Sequence, residues 1–471
     1  MNNSNNRTSI LIKDTGLFAI SSFGSKILIF LLTPLYTSIL TTEEYGIADL
    51  ITTTINFIYP ILTLAIADAT LRFALDNEQD KRKVLDNSLL ITLLSVLILI
   101  FLYPILINIS PNVSEYWTLF VVTYALFNIH NCISNFIKAI GKTSLFAIQG
   151  LLQTVIIVLS NMLFLIILKK GFQGYFISII IGYAIPILFL LVKGNIYSYI
   201  TPVRIDKILL KEMLWYSIPM IPTLLAWAIN TSVDKYMIIY MIGLSDSGIY
   251  SVAHKIPTIF TAVITIFTQA WQLSAISNYG SSDESEYHTV VYNVLNIISL
   301  IGCMIIIALS KILASILFAK DFYTAWRYVP FLTVSAMFAS HGGFLASEFR
   351  AAKKTKSLFM SVVLGSIVNI VLNYIFIRKY GAFGAALATV ISFVIIWLFR
   401  FILIQKIVRV RINVLSTIIC YSLLIIEAVL VTLDLQNIEY VYIFLVFVVL
   451  LFIRKDLLNI VSKIFQIIKH C

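Results

Sequence analysis

Charge is scarce in this chain. Asp, Glu, Lys and Arg make up 12% of its 471 residues, against roughly 25% in soluble domains. With 60% hydrophobic residues and a mean hydropathy of +0.95, that deficit excludes a water-soluble globular enzyme. Cysteine is sparse as well. Cys132, Cys303, Cys420 and Cys471 have no metal-ligand spacing, and the first three lie in apolar segments. They read as small packing residues rather than as a metal site or disulfides. His130, His254 and His341 fall on separate predicted helices, with no second His at ligand spacing. The first eight residues are polar and Asn-rich, without a signal-peptide pattern.

Enzymatic signatures are also missing. Ile140-Gly141-Lys142-Thr143 resembles the end of a phosphate-binding loop, but Phe136 stands where the motif needs Gly and no strand precedes it. ATP hydrolysis is therefore not expected. A membrane acyltransferase would need one His deep in a pocket, and His341-Gly342-Gly343 is the least poor candidate. A lipid-sugar polymerase or glycosyltransferase would need a sizeable outer loop, and every outer loop here is short.

What the chain has is apolar length. Apolar stretches cover about 15–40, 46–75, 88–109, 115–138, 144–168, 172–192, 212–241, 247–276, 289–318, 323–349, 357–377, 382–405, 412–433 and 438–453. At roughly 20 residues per span, these predict an all-α polytopic membrane protein with about fourteen transmembrane helices. Several stretches exceed the bilayer and must tilt, kink or project. Pro34, Pro60, Pro104, Pro186, Pro219, Pro222, Pro257 and Pro330 lie inside them and invite bends.

The net charge is +11. In a soluble protein that would suggest nucleic acid; here it fits basic loops facing cytoplasm and anionic lipid. With the N-terminus inside and fourteen alternating helices, 23 Lys and Arg fall in inside segments and 6 in outside segments. Five more lie at membrane depth. The bias predicts that both termini are cytoplasmic. The acidic inside loop 281–286 does not count against it, because the rule is carried by Lys and Arg.

The two halves resemble each other. Gly46 pairs with Gly248 at an offset of 202, each following a short polar turn and opening a long helix. Asn161-Met162-Leu163-Phe164 pairs with Asn373-Tyr374-Ile375-Phe376 at offset 212. Gly171-Phe172-Gln173-Gly174 pairs with Gly381-Ala382-Phe383-Gly384 at offset 210. The pairs mark a six-helix repeat; six is even, so the repeats enter the membrane in the same sense, and such architectures form two lobes around a central cavity. The predicted organisation is an N-terminal tail 1–14, an N-lobe 15–193, a linker 194–211 and a C-lobe 212–411. Two extra helices follow over 412–453, and then a basic tail 454–471.

Glu43-Glu44-Tyr45-Gly46, the run from Asn230-Thr231-Ser232-Val233-Asp234-Lys235 to Gly248-Ile249-Tyr250-Ser251-Val252-Ala253-His254-Lys255, and Gly381-Ala382-Phe383-Gly384-Ala385-Ala386-Leu387-Ala388-Thr389 carry a family resemblance. The chain resembles, over nearly its whole length, the Wzx-type polysaccharide flippases of the multidrug/oligosaccharidyl-lipid/polysaccharide exporter superfamily. The resemblance implies two six-helix lobes that move polyprenyl-pyrophosphate-linked sugar units across the bacterial cytoplasmic membrane by alternating access. Lipid-linked oligosaccharide and membrane lipid are the implied partners, with polysaccharide polymerase and assembly proteins beside them. No nucleic acid is implied. Drug exporters and lipid II flippases share the fold and remain alternatives.

A charge near the bilayer centre costs at least about 2.5–3.5 kcal/mol, so buried charges are the site candidates. An anionic pyrophosphate needs cations to replace its hydration. Lys26, Arg72, Lys235 and Lys255 are the cationic candidates. Lys26 shares a helix face with Ser22 and fits either headgroup contact or snorkelling to the inner surface. Asp68 and Arg72 are spaced to pair. Asp234 and Lys235 point about 100° apart; Asp234 pairing with Lys255 would make both structural, whereas Lys255 facing the cavity alone would be the best single anion-binding candidate. Lys311 is expected to snorkel, and Glu348 with Arg350 to form a solvated rim. Glu427 lies outside the repeat with no assigned role. No cofactor is expected. Asp49, Asp68 and Asp234 are the carboxylates available to carry a proton or bind sodium.

Overall fold

In the computed structural model, the described residues are 24, 26–28, 30–76, 78–104, 115–200, 205–277, 284–352, 354–434, 441 and 444–452. Their regular structure is helical. By packing they form two units, Met1–Ser232 and Val233–Cys471.

The first unit begins with α1 (Thr33–Ile39) and α2 (Thr42–Leu62). Thr41 starts α2 through a reciprocal cap: its hydroxyl accepts from the Glu44 N–H at 3.1 Å, and the Glu44 carboxylate accepts from the Thr41 N–H at 2.8 Å. Such a cap contributes about 1 kcal/mol. Near Pro60 the helix ends, and Leu64 and Ala65 adopt left-handed φ values of 52°. The chain then bends by 61° into α3 (Ile66–Ala74). The apolar run 46–75 is thus a broken helix.

α4 (Lys81–Phe101), α5 (Trp117–Ala139), α6 (Thr143–Asn161) and α7 (Gly171–Lys193) follow. A π-helical segment, Met162–Ile167, prolongs α6. α5 packs against α3, α4 and α7. Val84, Leu85, Ile133, Phe136, Ile137 and Leu190 form part of the core there. Thr70 donates to Ser88 at 2.7 Å, tying α3 to α4 inside it.

α8 (Lys207–Ser217) starts at Asp206, whose side chain accepts from the N–H groups of Ile208 and Leu209. Lys83 bonds the same carboxylate at 2.9 Å, and the Asn87 amide donates to the Asp206 carbonyl at 3.1 Å. α8 therefore packs on α3 and α4. The linker is anchored to the first unit, and the packing boundary falls further on, inside α9 (Ile221–Met241).

The second unit continues through α10 (Leu244–Ala253), α11 (Lys255–Ser277), α12 (Glu284–Ala308) and α13 (Ser310–Leu317). After a 3₁₀ stretch, Lys320–Arg327, come α14 (Val329–Ala351), α15 (Thr355–Tyr380), α16 (Ala382–Ile404) and α17 (Val414–Thr432). α14 is the centre of this unit, packed by α11, α12, α16 and α17. Its Ser335, Ala336, Ser340, Gly342, Gly343, Ala346 and Ser347 are small, which lets neighbouring helices approach closely without a hydrophobic drive from water.

Among the described residues eleven helical segments are long and apolar enough to cross a membrane, and twelve if α2 and α3 count as one bent span. They correspond in order to the second through thirteenth predicted stretches. The expected fourteen are not reached, because the first and last stretches lie partly outside the described residues. The chain is a multi-pass membrane protein. Its apolar side chains facing outward, such as Phe101, Leu159, Ile167 and Leu188, meet lipid rather than water.

The repeat has a geometric counterpart within each unit. A β-carbon on Gly174 would stand 3.0 Å from the Phe164 carbonyl oxygen, and one on Gly384 would overlap the carbonyl of Phe376. Each hairpin, α6–α7 and α15–α16, closes through the same Phe–Gly pair. Asn161 and Asn373 are both fully buried at the equivalent position.

Candidate functional site

In the second unit one buried acid is Asp234, on α9. Its carboxylate accepts from the Tyr250 hydroxyl of α10 at 2.8 Å and from the Lys235 backbone N–H at 2.9 Å. His254 Nε2 stands 4.0 Å away. Tyr250 is itself fully buried, edge-on to His254 and beside Tyr328. Charge-assisted bonds of this kind are what make a buried carboxylate tolerable. The sequence-based pairing brought in Lys255; the structure adds Tyr250 and His254, both on the same run. Lys235 and Lys255 are half-buried, the latter opening α11.

In the first unit Asp49 is half-buried on α2. Thr53 donates to it at 3.4 Å, and the Tyr45 and Tyr175 hydroxyls lie within electrostatic reach. Tyr175 packs edge-on against Tyr36 at 5.0 Å. Asp68 is half-buried near Tyr59, on the far side of the helix break. Arg72 is exposed, and it forms no ion pair with Asp68. The expected i,i+4 pair is thus absent. Such a pair at an open helix face gains little once side-chain ordering is counted, while Asp68 turns in beside Tyr59. Lys26 is exposed and helical.

Other ionic groups are where the sequence did not put them. Glu348, expected on a solvated rim, is only 1% exposed. It accepts from Trp271 Nε1 at 3.0 Å, and His288 Nδ1 lies 3.2 Å from its other oxygen. Trp271 stacks on Phe344 at 4.9 Å. Arg350 is exposed, as expected of a rim. Arg400, counted among the inside basic residues, is buried: it donates to Ser361 at 2.9 Å and to the Gly342 carbonyl at 2.7 Å. Both misplacements have one cause. Hydropathy sets Glu348 and Arg400 at helix ends, but α11, α12, α14 and α15 enclose those ends. For Arg400 the signal available was the small residues opposite it, Gly342 and Ser361. Lys311 does not merely snorkel: it bonds Asp434 at the end of α17 and stands 4.8 Å over the Trp326 ring.

Among the described residues no three His, Cys, Asp or Glu side chains gather as a metal cage. Cys132, Cys303 and Cys420 are buried free thiols, as their apolar settings predict.

Residues 11–272, more than half of the chain, match the polysaccharide biosynthesis protein family, and the chain belongs to that family. An uncharacterized membrane protein of Methanocaldococcus jannaschii is 23% identical over 190 residues, 40% of this chain. That match spans 44% of the relative's length. Among solved structures, the lipid II flippase MurJ in an inward closed conformation superposes with a TM-score of 0.71 at 17% identity, covering 96% of this chain and 99% of that one. An inward-facing multidrug resistance MATE family transporter of the MOP superfamily reaches 0.67 at 14% identity, covering 83% and 98%. At these identities the likeness is one of fold, and it is the fold that the sequence resemblance implied.

Proposed function

We propose that this member of the polysaccharide biosynthesis protein family is a flippase for polyprenyl-pyrophosphate-linked oligosaccharide. It would carry the sugar unit from the inner to the outer leaflet of the bacterial cytoplasmic membrane by alternating access, supplying surface polymers such as lipopolysaccharide or capsule. The observation that carries this reading is the conjunction of a polysaccharide-biosynthesis family with a transporter fold. A chain of this fold in such a pathway has a cargo to move rather than a bond to make.

The chemistry of the cargo fits the scarce cations. A pyrophosphate leaving water needs compensating positive charge, and Lys26, Arg72, Lys235 and Lys255 are the candidates. Asp234, held by Tyr250, is the carboxylate we assign to coupling with a proton or sodium gradient; Asp49 and Asp68 are the counterparts in the first unit. Both termini face the cytoplasm in this reading, where most of the basic loops lie. Polymerase and assembly proteins would take the cargo on the outer side.

The test is reconstitution into liposomes with a fluorescent polyprenyl-pyrophosphate oligosaccharide in both leaflets, probed by an impermeant sugar-cleaving enzyme. The inner pool should become cleavable only when the protein is present. Lys26→Ala, Lys235→Ala and Lys255→Ala should slow that exchange without loss of folded protein. A protected inner pool with folded protein and an imposed ion gradient would reject this cargo. Drug resistance on overexpression, without a polysaccharide defect on deletion, would then assign the chain to drug export.

A further inference from the structure

Glu427 lies on α17, outside the two repeats, and neither the cationic candidates nor the coupling carboxylates involve it. Its side chain is fully buried, with 0% exposure. Neither carboxyl oxygen has a hydrogen-bond partner among the described residues. α17 packs against α12 and α14. The ionisable groups these helices bring toward Glu427 and its surroundings are Cys303 and Tyr292 on α12, His341 on α14, and Cys420 and Tyr421 on α17 itself. None of the five carries a fixed charge. Cys303 is the one within electrostatic reach of the carboxyl.

An ionised carboxylate in such a place has no compensation. The effective penalty is several kcal/mol per ion even after relaxation. A neutral acid avoids most of it, because only the charged form carries the ionic desolvation cost. A hard metal cation is a poor alternative, since it needs several oxygen ligands and no three His, Cys, Asp or Glu side chains gather among the described residues. A proton needs none.

A polar track leads toward this carboxyl. Asn296 and Ser416 line a crevice between α12 and the start of α17. The Tyr421 hydroxyl donates to Asn296 at 2.7 Å and stands 3.4 Å from His341 Nδ1. His341 Nε2 is 2.9 Å from the Ser299 hydroxyl. Cys303 follows Ser299 by one turn on the same face of α12. Tyrosine, neutral histidine, serine and cysteine each both donate and accept a hydrogen bond.

We propose that Glu427 is a proton-carrying site, neutral in the conformation described, that exchanges its proton with water in the α12–α17 crevice along Tyr421, His341, Ser299 and Cys303. Uptake forms one O–H bond on the carboxylate and takes the proton from crevice water; release reverses it. The site goes beyond the flippase reading, because it depends on no particular cargo.

The test uses the full chain in lipid nanodiscs without cargo, followed by infrared difference spectroscopy at neutral pH and in D2O. Wild type should show the C=O stretch of a protonated carboxyl in a dry setting. Glu427→Gln should abolish that band and melt at the wild-type temperature, since the amide copies the neutral acid. Glu348→Gln should leave the band in place. If Glu427→Gln fails to fold, Glu427→Asp serves instead and should shift the band. A band unchanged by the Glu427 variant that folds, or no such band in wild type, overturns the proposal. Retained flipping would not rescue it, and failed flipping would not refute it.

Discussion

Lys83 and Asp206 stand 2.9 Å apart across 123 residues of chain, and their bond fixes the linker to the first unit. Lys83, and after it the N–H groups of Leu209 and Ile208, hold the Asp206 carboxyl below its usual range. A carboxyl held low contributes stability that is in place above the unfolded carboxylate value, about 3.9. It is lost as pH falls through the folded value. Thermal unfolding of the purified protein should therefore show an acid-side loss that Asp206→Asn flattens. Asp206→Asn keeps a capping oxygen for α8, so α8 itself survives. An acid branch identical in wild type and variant would contradict the assignment.

The Phe–Gly closure of each hairpin predicts a graded response. Gly384→Ala forces a methyl into the Phe376 carbonyl and should cost about 1–3 kcal/mol, the range for overpacking. Gly174→Ala meets the Phe164 carbonyl at 3.0 Å, where a small shift suffices, and should cost less. Denaturation midpoints of the two variants give the order directly, and equal costs would contradict the difference between the two contacts.

Tyr250→Phe removes a single hydroxyl and leaves the Asp234 carboxylate short of a bond. That should cost about 1–3 kcal/mol of stability. Asp234→Asn changes the acceptor, so the double variant should lose less than the sum of the singles. A double-mutant cycle on melting free energies reads the coupling. Strict additivity would mean that the bond does not hold Asp234.

At the bend between α2 and α3, Ala65 is fully buried with φ 52° and ψ 30°. A β-branched residue is a severe misfit there. Ala65→Val should cost more than about 2 kcal/mol, whereas Ala65→Gly gains backbone ease against the loss of one methyl and should stay near wild type. Comparable melting of both variants would show that the bend is not locked.

Legibility in the sequence followed the length scale of the signal. Spans, breaks at proline and the repeat rest on runs of residues, and the spans found among the described residues stand in the predicted order. The side-chain partners were harder. Asp234 was singled out as a buried charge, but Tyr250, sixteen residues on, is invisible to spacing because it reaches Asp234 from another helix. Glu348 and Arg400 were misplaced because hydropathy reads distance along one helix, not enclosure by its neighbours. Asp68 and Arg72 had the right spacing and still did not pair, since spacing permits a contact without supplying the energy for it.

The π-helical segment Met162–Ile167 bears on how the repeats differ. Matching residues are offset by 212 at Asn161 and Asn373, but by 210 at Gly171 and Gly381. The first copy therefore holds two surplus residues in that interval, where the backbone widens to i→i+5 bonding. A wider turn stores more residues per unit of rise, so part of the surplus goes into girth. The copies have diverged in length here while Gly174 still meets Phe164 as Gly384 meets Phe376. In a bilayer of fixed thickness, a helix can absorb an insertion as a change of winding, leaving the join to its neighbour where it was.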